Sequence, residues 1–465
     1  MQGNLEMSEI PKAIQPIYQC DENQPILLYE GELELFEGSQ ITLGFGSIDF
    51  TWLPKIRTKF SIHYERDEQL GFSQILDSNK DTSLSFLIPE ICTKKLVTQV
   101  RVLKKSTQNT TTVINGEILD VALGNGDDLS YVIFHLTNFV DYFAPHAESP
   151  SGRTESRLIL ESLEWRVIID SISNKLINAL KDNSGYAITH MGRLERIDGS
   201  SFTSQDAEEI LFGLNYFLSF VVGRWVSPAL PVGFNSTGKR VWEKWLHYRT
   251  GNYLYVTSWF PKLEPANISV AFAGFMTWWS NGDWQESFKL LIYWYVESNN
   301  SGVEQGILMT QSACELLAWL VLVQDRKVIS DDGLEKLPAA DILRLLFSIL
   351  QIPITMPPIP ETSPLFLGEL EKMLKAENNL LDCAGCITAI RNRLTHPKKK
   401  GKSTTILKYS DKERIEAYRL SLWYLELCLL RLFGYEGVYA NRLKFMWEGD
   451  YDKLPWTAKD VNTKN

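Results

Sequence analysis

The spacing of apolar residues changes partway along this 465-residue chain, and that change restricts the fold more than any other feature. Up to about residue 200, stretches such as ILLYEGELELFE, SQITLGFGSIDFTWL, TKFSIHYE, LVTQVRVL and TTVINGEILDVAL alternate apolar and polar residues between Gly, Asn and Asp turns. This is the pattern of half-buried antiparallel strands, and it predicts a sandwich or a barrel. From about residue 275 the apolar positions recur every three or four residues, as in helices packed on one face. The fold class expected is α+β: a β-rich part over 1–200, a connecting helix and strands over 201–274, and an all-α bundle over 275–465. A chain of this length is also expected to divide into two or three domains.

Between these parts the reading is uneven. RLILESLEWRVIIDSISNKLINAL fits helix and strand equally. A helix is predicted over about 204–223, because Thr203 can cap it with Asp206 three residues on. Trp225, Trp242 and Trp245 form either a stacking platform for a base or a ligand or a set of buried aromatic anchors at a domain junction. Five helices are expected beyond residue 275: WQESFKLLIYWYVES, GVEQGILMTQSACELLAWLVLV, PAADILRLLFSIL, LFLGELEKMLKAENNLLDCAGCITAIRNRLTH and ERIEAYRLSLWYLELCLLRLFG. The prolines at 353, 357, 358, 360 and 364 require a loop before the fourth. In the last helix Ile415, Tyr418, Leu422, Leu425, Leu429 and Leu432 read as one apolar stripe.

Composition excludes some classes. With 57 acidic against 47 basic residues, the net charge of −10 argues against a protein that coats nucleic acid with its whole surface, while permitting a local basic patch. The start of the chain lacks a signal-peptide layout and the longest apolar runs are broken by polar residues or Pro, so a cytoplasmic protein with no membrane contact is expected. Six scattered cysteines suit a reducing compartment, and Cys383 and Cys386 read as packing residues, with no metal site and no cofactor implied. His63, His135, His146, His190 and His247 have no matching partners and read as structural.

The segment ITAIRNRLTHPKKKGK carries the chemistry. Ile387, Ile390 and Leu394 continue an apolar helical face, and Pro397 biases His396 out of the helix, which should therefore end there. An imidazole at a helix C-terminus is expected to favour its protonated form and to exchange a proton near neutrality. Arg391, within one turn or so, offers a bidentate fork for phosphate. Asn392 either orients the histidine or a phosphate oxygen, or lies on the helix surface with no partner. Lys398, Lys399, Lys400 and Lys402 follow on a Gly-containing loop and are candidate RNA-binding residues. On an upstream helix Glu304, Gln311 and Glu315 fall in line, and this stripe faces either polar partners or water; in the first case Glu315 pairs with Arg391 and positions it.

RNRLTHP closing a long helix, followed by an amphipathic helix ending in LRLFGYEG, resembles the HEPN superfamily over about 275–450, with Arg391, Asn392 and His396 at its Arg, polar, three spacers, His pattern. More loosely, the β-rich front with GRWVSPALPVGF resembles the ApeA-like anti-phage HEPN proteins. The resemblance implies a metal-independent endoribonuclease working as a homodimer or higher homo-oligomer on RNA, tRNA included, with a β-rich sensing domain that answers a phage-derived trigger. Attack of the ribose 2′-OH on its neighbouring phosphate would leave a 2′,3′-cyclic phosphate and a 5′-OH, with His396 moving the proton and Arg391 stabilising phosphoryl charge. The alternative is an inactive HEPN scaffold that dimerises through its helices and recognises through its front part.

Overall fold

The structure, a computed structural model, describes residues 10–18, 21–37, 39–65, 82–91, 94–108, 111–149, 152–172, 174–359, 361, 363, 365–376, 382–396, 409–444 and 447–457. Its first unit is a closed antiparallel barrel of six strands: β1 (Ile26–Glu37), β2 (Gln40–Thr51), β3 (Arg57–Glu65), β4 (Thr82–Phe86), β5 (Leu96–Gln108) and β6 (Thr111–Ile118). The order is β1-β2-β3-β6-β5-β4, with β4 pairing back onto β1. Of the two architectures that alternation allowed, the barrel is the one formed. Leu33, Leu35, Ile48, Phe50, Phe60, Ile62, Leu84 and Phe86 fill its interior from alternate positions, as pleated strands require.

The second unit is an eight-stranded sheet. Its strands are β7 (Ala122–Gly124), β8 (Tyr131–Thr137), β9 (Pro145–Glu148), β10 (Thr154–Ser162), β11 (Trp165–Ser171), β12 (Ile188–Arg196), β13 (Ser227–Phe234) and β14 (Arg240–Lys244). They run in the order β7-β14-β13-β8-β12-β11-β10-β9. The stretch that fitted helix and strand alike is the hairpin β10–β11, in register from Arg157 against Asp170 to Ser162 against Trp165, followed by helix α1 (Asn174–Asn183). The sheet separates two cores. On β8, Val132, Phe134 and Leu136 join the core shared with the helices, whereas Ile133 joins the barrel core. A strand buried on both faces reads as a continuous apolar run, which is why YVIFHLT shows no alternation.

Helix α2 (Ser204–Val222) begins at the Thr203 capping box, closed by Asp206, and ends at Gly223, whose φ of 77° lies in the left-handed region that glycine tolerates. Its rings pack in both directions: Phe217 meets Phe272 and Phe275, and Phe220 meets Trp259, Tyr295 and Phe433. The 201–274 segment is therefore more than a connector. β13 pairs with β8 about ninety residues earlier in the chain, completing the sheet, and α2 lies in one continuous core that runs from Leu129 to Leu454.

The C-terminal region is helical, with α3 (Ile268–Trp279), α4 (Gly282–Asn300), α5 (Val303–Ala318), α6 (Asp331–Glu335), α7 (Ala339–Ile349), α8 (Gly368–Ala376), α9 (Cys383–Thr395) and α10 (Asp411–Leu432). A short ribbon, β15 (Val438–Tyr439) with β16 (Asp452–Lys453), follows. Three sequence expectations need correction. The helix expected over 365–396 is two, because Asp382 is extended and caps a new start at Cys383. α3 went unread, since ISVAFAGFMTWW is apolar almost all round. α10 has more than one apolar stripe: Leu420 to Leu430 is buried on every side, which makes α10 the axis of the bundle. Pro353, Pro357 and Pro358 lie in a loop as expected, while Pro360 and Pro364 fall outside the described residues. One helical run, Val303–Asp325, is long and apolar enough to cross a membrane by length and composition, but 61% of its most apolar window is buried in the fold.

Candidate functional site

Helix α9 is held at its start by a charge network. Asp382 accepts the Gly385 N–H at 2.7 Å and receives Arg344 of α7 through Nε at 2.6 Å and Nη2 at 3.1 Å. The Cys383 N–H donates to the Ile354 carbonyl at 3.0 Å, so the proline loop also anchors this end. Cys383, Cys386, Ile387 and Ile390 are buried against the bundle, and burial pushes the Cys383 thiol up to about 12. The opposite face of α9 is left to carry polar residues.

That face meets α5. The Arg391 guanidinium contacts the Glu315 carboxylate through Nη2 and donates from Nη1 to Asn392 Oδ1 at 3.1 Å. Gln311 donates to the same Glu315 oxygen at 3.1 Å and reaches Thr388 Oγ1 on α9 at 3.4 Å. Two turns of α5 before Gln311, Glu304 pairs with Arg414 Nε of α10 at 2.7 Å. Thus the Glu304, Gln311, Glu315 stripe faces polar partners on α9 and α10, and the pairing of Glu315 with Arg391 is formed. The pair is not sealed, the Arg391 side chain being 18% exposed and that of Glu315 34%.

His396 is the cap residue of α9. Its N–H donates to the Asn392 carbonyl at 2.8 Å, its backbone has left helical dihedrals (φ −127°, ψ 75°), and the residue is exposed. The helix ends where Pro397 suggested. The Asn392 side chain serves the arginine, and among the described residues no hydrogen bond joins either that side chain or the Arg391 guanidinium to the His396 imidazole. Lys398, Lys399, Lys400 and Lys402 lie outside the described residues.

The other candidates resolve as follows. Trp225, Trp242 and Trp245 are buried; Trp225 Nε1 donates to Glu297 at 2.8 Å and Trp245 Nε1 to Glu243 at 3.0 Å, so they are anchors and not a platform. His135 and His190 are fully buried, with burial lowering them to about 4 and about 3, whereas His63 and His146 are exposed. Sequence reasoning missed Thr388, which ties Gln311 to α9, and the buried cluster of Tyr295, Glu426 and Arg442 behind the site. A polar residue one turn before Arg391 was the available signal for the first. The second joins α4, α10 and the tail, and no local spacing announces it.

Two family profiles match the chain: the YopA central domain over residues 124–256 and the YopA C-terminal domain over 281–452. The first covers most of the eight-stranded sheet with α2, and the second covers α4 to α10. The chain is 25% identical to the SPbeta prophage-derived uncharacterized protein YopA of Bacillus subtilis (strain 168), over 95% of this chain and 97% of that one. No solved structure matches it.

Proposed function

We propose that this chain is a metal-independent endoribonuclease of HEPN type, restrained by its β-rich front and acting in defence against phage. The observation that carries the reading is the end of α9, where Glu315 and Asn392 hold the Arg391 guanidinium at a partly open surface and His396 stands exposed at the helix terminus. A fixed guanidinium suits a phosphodiester, and an exposed imidazole suits proton transfer to and from ribose oxygens. The relative's printed description as prophage-derived concerns that protein and accords with a role in the contest between phage and host.

Geometry adds a requirement. Five residues of helix turn through about 500°, so Arg391 and His396 leave the axis roughly 140° apart. One chain thus offers the two groups on different sides of the helix end, and a shared scissile phosphate calls for a second copy of α9 facing the first. The active species in this reading is a homodimer.

In the test, purified protein is incubated with structured RNA, tRNA included, with and without extract from phage-infected cells, and the products' ends are determined. Arg391→Ala and His396→Ala should each lower cleavage by about a hundredfold or more, with the circular dichroism unchanged. Cleavage should leave 2′,3′-cyclic phosphate ends, spare the DNA analogue and survive EDTA. Full cleavage by either variant removes the proposal.

A second reading is favoured by one observation. Arg391 is already engaged by a carboxylate and an amide, as a guanidinium in a purely structural role would be. In that case the helical half is an inactive dimerisation scaffold, and the protein self-associates while leaving RNA intact under every condition above.

A further inference from the structure

Away from α9, three cations line one recess between the sheet, the end of α2 and the C-terminal tail. Arg224 follows the left-handed Gly223, and the turn directs it back beneath the sheet: its Nη1 donates to the Asn138 carbonyl and its Nε to Leu254 O at 3.2 Å. The residue is only 2% exposed and its guanidinium lies 4.4 Å from the Tyr253 ring centroid, with the Tyr253 side chain in hydrogen-bonding reach of it, yet its Nη2 is buried with no acceptor of its own among the described residues. Such an atom is costly unless something else meets it. Lys181, from α1, and Lys262 line the same cavity, which measures about 260 Å³.

The three cations are met by three carboxylates, which are unevenly placed. Among the described residues Asp141 is the carboxylate that lies between the lysines, 3.0 Å from Lys181 Nζ and 4.0 Å from Lys262 Nζ. Asp182 lies on the inner wall and Glu448 on the outer, both at the solvent side. Burial lowers Lys262 from its usual value; Asp141 and Glu448 oppose that, while Lys181 and Arg224 repel its charge and add to it. Burial likewise lowers Arg224, to about 10. An anion seated here would relieve both the repulsion and the unmet N–H.

The recess continues outward. A second cavity of about 310 Å³ shares Lys181, Tyr255, Val256 and Lys262 with the first and opens past Trp447. Tyr255 is 85% exposed and Trp447 74%, so two broad ring faces stand beside a cationic pit. Together the cavities reach the size range of ligand pockets, with positive charge inside and aromatic surface outside.

We propose that this recess binds a nucleotide, its phosphate against Arg224, Lys181 and Lys262 and its base against Tyr255 and Trp447. Guanidinium and ammonium groups supply charge-assisted hydrogen bonds to phosphate oxygens, and exposed rings accept a stacked base. The site draws on α1, the end of α2, the 253–262 segment and the tail after α10, so a bound nucleotide would tie the β-rich part to the helical part.

The test is calorimetric titration of the full chain with ATP and GTP, alongside inorganic phosphate and adenosine, and with thermal unfolding as a second readout. The expected result is saturable nucleotide binding that raises the unfolding temperature and weakens about tenfold or more in Lys262→Gln and in Tyr255→Ala, as the loss of one charge-assisted or stacking contact implies. Phosphate and adenosine, each carrying half of the recognised chemistry, should bind at least about tenfold more weakly than the nucleotides. Lys181→Gln, at a half-exposed position, is the check if Lys262→Gln lowers the unfolding temperature of the free protein. Absence of nucleotide binding, phosphate binding as tight as ATP, or full affinity in Tyr255→Ala and Lys181→Gln would each overturn the proposal. None of these readouts depends on RNA cleavage.

Discussion

Two ion pairs in the helical region have the same composition and different weight. Glu315 and Arg391 sit at a partly open surface, where solvent screens the attraction and the expected contribution is about 0–1 kcal/mol. Glu426 and Arg442 are enclosed. Arg442 gives Nε to Oε2 at 2.8 Å and Nη2 to Oε1 at 2.5 Å, Tyr295 donates its hydroxyl to Oε1 at 2.6 Å, and Arg442 Nη2 also reaches Thr257 O and Asn299 Oδ1. Burial alone would depress the Arg442 pKa, but the carboxylate more than offsets it. Removing one partner leaves the other charged in the dry, so Glu426→Gln should destabilise the chain by about 3–5 kcal/mol in urea unfolding. Glu426→Leu with Arg442→Met should recover most of that loss. Of these residues the sequence announced the first pair and not the second. Glu304, Gln311 and Glu315 keep helical spacing, which a reader can follow, whereas Glu426 lies in an apolar run and Arg442 in a loop whose position depends on the whole fold.

Helix ends divide into those that short-range chemistry dictates and those that tertiary contacts decide. Thr203 with Asp206 and Ser410 with Glu413 both form capping boxes, but only the former stood out in advance, before an unbroken apolar run. Asp382 caps α9 in the middle of what looks like one continuous helical pattern, and its capping role rests on Arg344, which is brought there by the packing of α7. The join between α3 and the end of α10 is tighter still. A Cβ placed on Gly274 would lie 2.0 Å from the carbonyl oxygen of Phe433 and 2.6 Å from its carbon. Backbone cannot rotate away as a side chain does, so Gly274→Ala should destabilise by about 3 kcal/mol or more despite its favourable helix propensity. Thermal unfolding would register this as a clear drop in midpoint, while the exposed Gly282→Ala, with open space around it, serves as the control.

At the scale of the molecule, the central sheet carries two buried histidines that burial keeps neutral. His135 sits where the sheet meets the barrel core, its Nδ1 facing the carbonyls of Ala229 and Leu230 at 3.3 and 3.1 Å, and His190 stacks on Tyr142 on the far side. Burial holds the first to about 4 and the second to about 3, whereas an unfolded chain protonates near 6.5. Between those values the unfolded state binds more protons, so this stability is complete above about pH 6.5 and is lost as pH falls toward 4 and then 3. The unfolding midpoint should therefore drop between about pH 7 and 5, and His190→Gln should flatten that slope. The barrel as such was only half legible: alternation gave strands, but closure depends on β3 meeting β6 and β4 meeting β1, pairings that no turn dictates.

The two-sided burial of β8 has a mechanical corollary. With one hydrophobic interior on each side of it and strands hydrogen-bonded along both its edges, β8 stands as a bulkhead between the two cores. In the proposed reading, a signal from the cylinder in front would reach the helices behind as a shift of solid parts packed on β8.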